Sequence, residues 1–136
     1  ELLEAEANGG GTMSLLGHLS ALTCLELARC SLRRVPPSLA SLTSLARLNL
    51  NGNVALGSGS GSIAAFEPLR CLAGSLTSLQ MYECGLLCVP AQLAGLSRLA
   101  QLSLASNDAL GWQDESSPVF TALQSLAALT WLRQVG

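Results

Sequence analysis

Five cysteines are the residues best able to do chemistry in this sequence, and they lie at Cys24, Cys30, Cys71, Cys84 and Cys88. Cys84 and Cys88 are close enough to share a zinc ion, but no second pair and no nearby histidine completes the four ligands of a structural site. The sequence therefore predicts structural thiols and no metal site. The odd cysteine count and the lack of an Asn-x-Ser/Thr motif favour a reducing compartment, so we expect a cytoplasmic protein.

Other side chains that could catalyse a reaction are isolated from one another. The single histidine, His18, lies between leucines, and Asp114 and Glu115 are neighbours in a polar stretch typical of a solvated loop. Gly57 and Gly59 resemble a dinucleotide-binding fingerprint only superficially, because the strand-to-helix context and the downstream acid are missing. Nucleophile-elbow, phosphate-loop and zinc-protease motifs do not occur. We expect no enzyme, no cofactor and no small-molecule substrate.

The overall composition and charge argue against nucleic-acid and membrane partners. Of the 136 residues, 49% are hydrophobic and 12% are charged. No apolar run reaches the ~18 residues that a membrane-spanning helix needs. The formal net charge of −2 provides no basic surface for nucleic acid or anionic lipid.

Leucine recurs at fixed spacings that divide the chain into similar units. The clearest unit contains Leu22, Leu25, Leu27, Cys30, Leu32, Val35, Pro36, Leu39 and Leu42. The same spacing returns at Leu76, Leu79, Met81, Cys84, Leu86, Val89, Pro90, Leu93 and Leu96. A second kind of unit contains Leu45, Leu48, Leu50, Asn53 and Leu56, and it returns at Leu99, Leu102, Leu104, Asn107 and Leu110. The two kinds alternate, which indicates that a module of two units was duplicated.

Two periods describe this arrangement. Short and long intervals alternate along most of the chain between the first strand leucines of successive units, which are Leu3, Leu25, Leu48, Leu79, Leu102 and Leu132. A longer period, equal to one short and one long interval, relates Cys30 to Cys84 and Asn53 to Asn107. Since neither end carries a polar cap, we expect residues 1–136 to be one repeat segment of a longer array.

These strings resemble the leucine-rich repeat family over essentially the whole chain. The 23-residue units with Val-Pro after the turn are similar to intracellular Ras-group repeats, and the alternating longer units resemble large repeat proteins of green algae and plants. The resemblance implies an α/β fold of about five or six repeats, each a strand followed by a return segment. It implies a right-handed horseshoe-shaped solenoid with a parallel sheet on its concave side.

The spacing within each unit predicts its local structure. Leu-x-Leu has the period of a strand, so we expect parallel strands near 24–27, 47–50, 78–81 and 101–104, and partial strands at 2–5 and 131–133. Leucines at every third position after Pro36 and Pro90 suit a short helix or 3₁₀ turn with proline at its first position. The stretches 57–65 and 111–119 are insertions; the first has the Gly/Ser composition of a flexible spacer, and in the second we expect Trp112 to pack back on its own unit.

The residue that follows each strand is predicted to close a turn. Asn53 and Asn107 can bond backbone groups of adjacent turns, and cysteine can replace them with some loss of bonding. Cys30 and Cys84 lie two strand spacings apart, about 10 Å, beyond the ~7 Å reach of a disulfide bridge. We therefore expect both thiols to be reduced and buried.

The outward residues of the strands form the candidate partner-binding site on the concave face. They are Glu26, Arg29, Arg47, Asn49, Asn51, Gln80, Tyr82, Glu83, Gln101, Ser103, Trp131 and Arg133. Tyr, Trp and Arg are enriched in interface hot spots, so we expect a non-catalytic protein–protein interaction module. One alternative is a structural spacer within a longer array. Another, by analogy alone, is the substrate-recognition part of an F-box-type ubiquitin ligase adaptor.

Overall fold

Four short strands form one parallel sheet in the computed structural model, which describes residues 19–58 and 62–110. The strands are β1 (Cys24–Glu26), β2 (Arg47–Asn49), β3 (Ser78–Gln80) and β4 (Gln101–Ser103). They lie side by side in chain order, and each pairs in parallel with the next. Together with short helices between the strands, this sheet gives the described residues a mixed α/β structure.

The strand register aligns the leucines that the sequence pattern aligned. Leu25 pairs with Leu48, Leu48 with Leu79, and Leu79 with Leu102. Leu48, Leu79 and Leu102 are buried, whereas Leu25, which has a described neighbouring strand on one side only, is partly buried. The four full strands are confirmed to within one residue. The partial strands expected at 2–5 and 131–133 lie outside the described residues.

Each of the three connections between the described strands contains a 3₁₀ helix, at Pro37–Ser41, Glu67–Leu72 and Ala91–Gly95. The amides of Leu39, Leu42 and Leu45 each donate to the carbonyl oxygen three positions earlier, at 3.0 Å. Because a 3₁₀ helix completes one turn every three positions, leucines at this spacing share one face, and all three are fully buried. Pro36 and Pro90 lie one position earlier than expected, as the residues that precede the first helical turn.

The longer connection between β2 and β3 adds a short helix, α1 (Ser62–Ala65), before its 3₁₀ helix. The expectation of a flexible spacer over 57–65 is therefore corrected at both ends of that stretch. Gly57 is buried, and a Cβ atom there would lie 2.6 Å from Leu86 Cα. At the other end, Ala65 is buried, and its carbonyl accepts a hydrogen bond from the Val35 amide at 2.8 Å.

One apolar core joins these elements. The inward leucines of the strands and those of the 3₁₀ helices belong to a single buried cluster, to which Phe66 contributes the largest side chain. The first 3₁₀ helix packs against the second, and the second against the third. None of the helices in the described part of the chain is long and apolar enough to cross a membrane.

Truncating an inward strand residue should cost far more stability than truncating an outward one. Leu48→Ala removes a side chain that is 1% exposed and leaves a cavity, so we expect a loss of about 2–5 kcal/mol in the free energy of unfolding. Gln101→Ala, on the exposed side of β4, should cost under about 0.5 kcal/mol. Urea denaturation of both variants tests this, and equal losses would contradict the inside–outside assignment of the strands.

Candidate interaction face

A buried asparagine closes the turn that follows β2. The Oδ1 atom of Asn53 accepts hydrogen bonds from the amides of Cys30 and Leu32, at 3.0 and 3.1 Å. Its Nδ2 atom donates to the carbonyl oxygens of Leu27 and Leu50, at 2.9 and 2.6 Å. One side chain thus satisfies four backbone groups, three of which belong to the preceding turn.

Asn107 makes the same four bonds after β4. It accepts from the amides of Cys84 and Leu86 and donates to the carbonyl oxygens of Met81 and Leu104. Both asparagines are at most 5% exposed, so these bonds have no competition from water. The role predicted for asparagine at this position is confirmed.

Cys84 occupies the equivalent position after β3. Its Sγ atom donates to the Leu50 carbonyl oxygen at 3.1 Å. Burial raises the pKa of the Cys84 thiol to about 11, while the nearby backbone amides of Asn53 and Gly52 partly oppose that rise. A neutral thiol therefore replaces a carboxamide at this junction, with fewer hydrogen bonds.

The expectation that Cys30 is buried needs correction. Cys84 is buried and Cys30 only partly so, although both thiols are free. Cys84 lies between the described turns on either side of it, whereas Cys30 follows β1, the first described strand. Its Sγ atom lies 3.5 Å from the Ala28 carbonyl oxygen, and its pKa is raised by burial. Cys88 is exposed, so it does not share the environment of Cys84.

The outward residues of the strands lie on one side of the sheet, which we call the open face. In register across the strands are Glu26, Asn49, Gln80 and Ser103, and two positions earlier Cys24, Arg47, Ser78 and Gln101. Two positions later come Ala28, Asn51, Tyr82 and Ala105. The structure therefore brings together eight of the candidate residues: Glu26, Arg47, Asn49, Asn51, Gln80, Tyr82, Gln101 and Ser103.

A chain of hydrogen bonds, which we call the amide ladder, crosses this face through Glu26, Asn49, Asn51 and Gln80. Asn49 Nδ2 donates to Glu26 Oε2 at 2.7 Å, and Asn51 Nδ2 donates to Gln80 Oε1 at 3.1 Å. The Oδ1 atoms of the two asparagines accept from backbone amides, those of Asn51 and Tyr82, at 2.9 and 2.8 Å. The ladder fixes polar side chains over three neighbouring strands.

Arg29 and Glu83 lie at the edge of the open face, in the turns where the chain leaves its strand. Their φ angles of 56° and 54° are in the left-handed region, which Gly52 also adopts at the equivalent turn. A Cβ atom on Gly52 would lie 2.6 Å from Arg29 Cγ, so the aliphatic part of Arg29 lies over Gly52. Sequence reasoning missed this packing, for which the glycine is the only signal.

The remaining candidates differ in their surroundings. Tyr82 is 42% exposed, and Arg47 is exposed without an ion pair among residues 19–58 and 62–110. The ion pair between Arg70 and Glu67, at 3.1 Å, is in the second 3₁₀ helix instead. Trp131 and Arg133 lie outside the described residues, as do His18 and the loop residues Trp112 and Asp114.

Removing a turn asparagine should be much more harmful than removing one on the open face. Asn53→Ala leaves buried amides and carbonyls without partners, so we expect the free energy of unfolding to fall by about 3 kcal/mol or more. Asn49→Ala deletes the same carboxamide from a half-buried position and should cost about 1 kcal/mol. Thermal and urea unfolding measure both; similar losses would show that the turn bonds matter no more than the ladder.

The Cys84 thiol should make stability depend on alkaline pH. Because its pKa is raised from 9.0 to about 11, the folded chain holds this proton more tightly than the unfolded chain. The contribution of the protonated Cys84 thiol to the free energy of unfolding is complete below pH 9 and should be lost as the pH rises towards 11. Urea unfolding across this range should show a smaller pH dependence in Cys84→Ala than in the parent, and an unchanged slope would contradict the burial of an ionisable thiol.

A comparison with known proteins adds no family to this geometry. A scan against protein-family models found no match, and a search of curated proteins found none either.

Proposed function

We propose that the chain is a segment of a leucine-rich repeat solenoid and that its open face, on the concave side of the horseshoe, binds a protein partner. Three features support the repeat assignment. The four strands are parallel, the long connection between β2 and β3 lies between two shorter connections, and asparagine closes alternate turns. We further propose a non-catalytic role, because the side chains that could do chemistry are isolated from one another in the sequence, and a cytoplasmic location, because the cysteine count is odd and no Asn-x-Ser/Thr motif occurs.

The observation that carries the proposal is that the open face presents polar side chains already held in place. Asn49, Asn51 and Gln80 are exposed or half-buried, yet the amide ladder bonds them to one another and to the backbone. Side chains that are fixed before binding lose little conformational entropy when a partner arrives.

Two side chains beside the ladder supply the contact energy expected of an interface. The Tyr82 ring offers a large apolar area with few rotatable bonds, and the Arg47 guanidinium can bond a partner's carboxylate at two points. Since β2 and β3 are neighbours, one partner segment can contact both side chains. We therefore place the centre of the interface over β2 and β3.

Substitution of these two residues should weaken partner binding without affecting the fold. A partner is first recovered by cross-linking from host lysate with the longest available reading frame, then titrated against the variants. Tyr82→Ala and Arg47→Ala should each raise the dissociation constant about tenfold, that is by about 1–2 kcal/mol, because both remove exposed contacts. Unfolding should stay within about 0.5 kcal/mol of the parent.

Matched controls come from exposed residues outside the strands. Leu87→Ala removes an apolar side chain that is 51% exposed, and Arg33→Ala removes an exposed guanidinium. Neither should alter the dissociation constant. If all four variants bind every recovered partner as tightly as the parent does, the open face is not the site, and the structural spacer is favoured.

A further inference from the structure

The three amide oxygens of the amide ladder, and one carboxylate oxygen of Glu26, already accept hydrogen bonds. Asn49 Oδ1 accepts from the Asn51 amide, Asn51 Oδ1 from the Tyr82 amide, and Gln80 Oε1 from Asn51 Nδ2. Glu26 Oε2 accepts from Asn49 Nδ2. Each of these four side chains therefore directs an acceptor oxygen towards the protein itself.

The donors of the same residues are mostly unused. The Nδ2 atoms of Asn49 and Asn51 carry two hydrogens each, and each atom makes one bond among the described residues. Gln80 Nε2 makes no hydrogen bond within the described residues, and neither does the Arg47 guanidinium. We call Arg47, Asn49, Asn51 and Gln80 the donor strip. The hydrogen bonds within the open face thus leave free donor hydrogens on the three neutral amides, Asn49, Asn51 and Gln80, beside the Arg47 guanidinium.

The charges around the donor strip define what can approach it. Arg47 is exposed, and the residues in register with it, Cys24, Ser78 and Gln101, are all uncharged. The open face carries acids on either side of the strip, Glu26 on β1 and Glu83 after β3. A short acidic segment over β2 and β3 can place carboxylates at the guanidinium and at the amide hydrogens, whereas a long polyanion would also meet both glutamates and a chain of net charge −2.

We propose that the donor strip recognises an acidic segment of a protein partner, with one carboxylate bonded to Arg47 and others bonded to the free hydrogens of the ladder amides. This inference rests on the proposed function and specifies its partner chemistry. Charge-assisted bonds from guanidinium and amide donors to a carboxylate are short and strong. A lysine ammonium has no acceptor for these donors, and a neutral amide offers one uncharged oxygen in place of two charged ones.

Short synthetic peptides test this without a known partner. Three fluorescein-labelled nonapeptides share one Ala/Ser sequence and carry three Glu, three Gln or three Lys, and a labelled nine-nucleotide oligothymidylate represents nucleic acid. Fluorescence anisotropy titration of the full chain at low ionic strength should show the Glu peptide binding about tenfold more tightly than the Gln peptide. The Lys peptide and the oligonucleotide should bind more weakly still.

Two substitutions locate the binding. Arg47→Gln removes the cation, and Gln80→Glu replaces free amide hydrogens with a carboxylate of nearly the same shape. Each should weaken the Glu peptide about fivefold or more, and Gln80→Glu should shift preference towards the Lys peptide. Arg33→Gln and Ser97→Glu make the same changes in net charge at exposed positions outside the strands, and should alter affinity less than about twofold. Circular dichroism confirms folding of each variant.

Several results would overturn the inference. Equal affinity for the Glu and Gln peptides would do so with the parent chain alone, as would equal losses in Arg47→Gln and Arg33→Gln. Tighter binding of the oligothymidylate would mean a phosphate ligand instead. A failure of the proposed function has a different signature, because a recovered partner would then bind Tyr82→Ala and Arg47→Ala as well as it binds the parent.

Discussion

The buried carboxamide that closes alternate turns is the interaction on which the sheet depends. Each strand is short, so few backbone hydrogen bonds join neighbouring strands. The chain then turns away from the sheet while its backbone polar groups are still buried. Asn53 and Asn107 satisfy those groups within their own turn and within the turn before it. An apolar core next to these turns is stable only because the backbone groups that the strands leave unpaired find this partner.

Alternation of asparagine and cysteine gives the junctions between strands different chemistry. At β1–β2 and β3–β4 the carboxamide reaches back to the preceding turn with three bonds. At β2–β3 the turn residue is Cys84, whose thiol donates across the junction to the Leu50 carbonyl oxygen and also lies 3.6 Å from the Tyr82 carbonyl oxygen. The Cys84 carbonyl accepts a hydrogen bond from the Gly57 amide. The Asn51 bonds of the amide ladder cross this same junction on the open face. Exposed polar bonds thus supplement the weaker buried set.

The fold follows from spacing, whereas the detailed geometry of the face does not. Leucine at every second position and then at every third specifies strand and 3₁₀ helix, and for this reason the strand positions were predicted to within one residue. The leucine pattern does not predict which side-chain atoms of Asn49 and Asn51 face inward. The rotamers of these two asparagines depend on Glu26 and Gln80, which lie on other strands and far away in the sequence. The helix at Ser62–Ala65 was missed since it is a single turn that follows a Gly/Ser stretch and carries no helical period.

The two roles of the open face separate residue by residue. Asn51 bonds the Tyr82 amide and the Gln80 side chain, so changing it alters the β2–β3 junction as well as the surface. Arg47 and the Tyr82 ring make no such bonds among the described residues and can change without loosening the sheet. In the proposed interface, affinity for a partner would therefore vary through Arg47 and Tyr82 while the amide ladder keeps the surrounding amides in place. The fold therefore depends on the amides of the ladder and not on the Arg47 guanidinium or the Tyr82 ring, and substitution of either of these two side chains tests binding apart from folding.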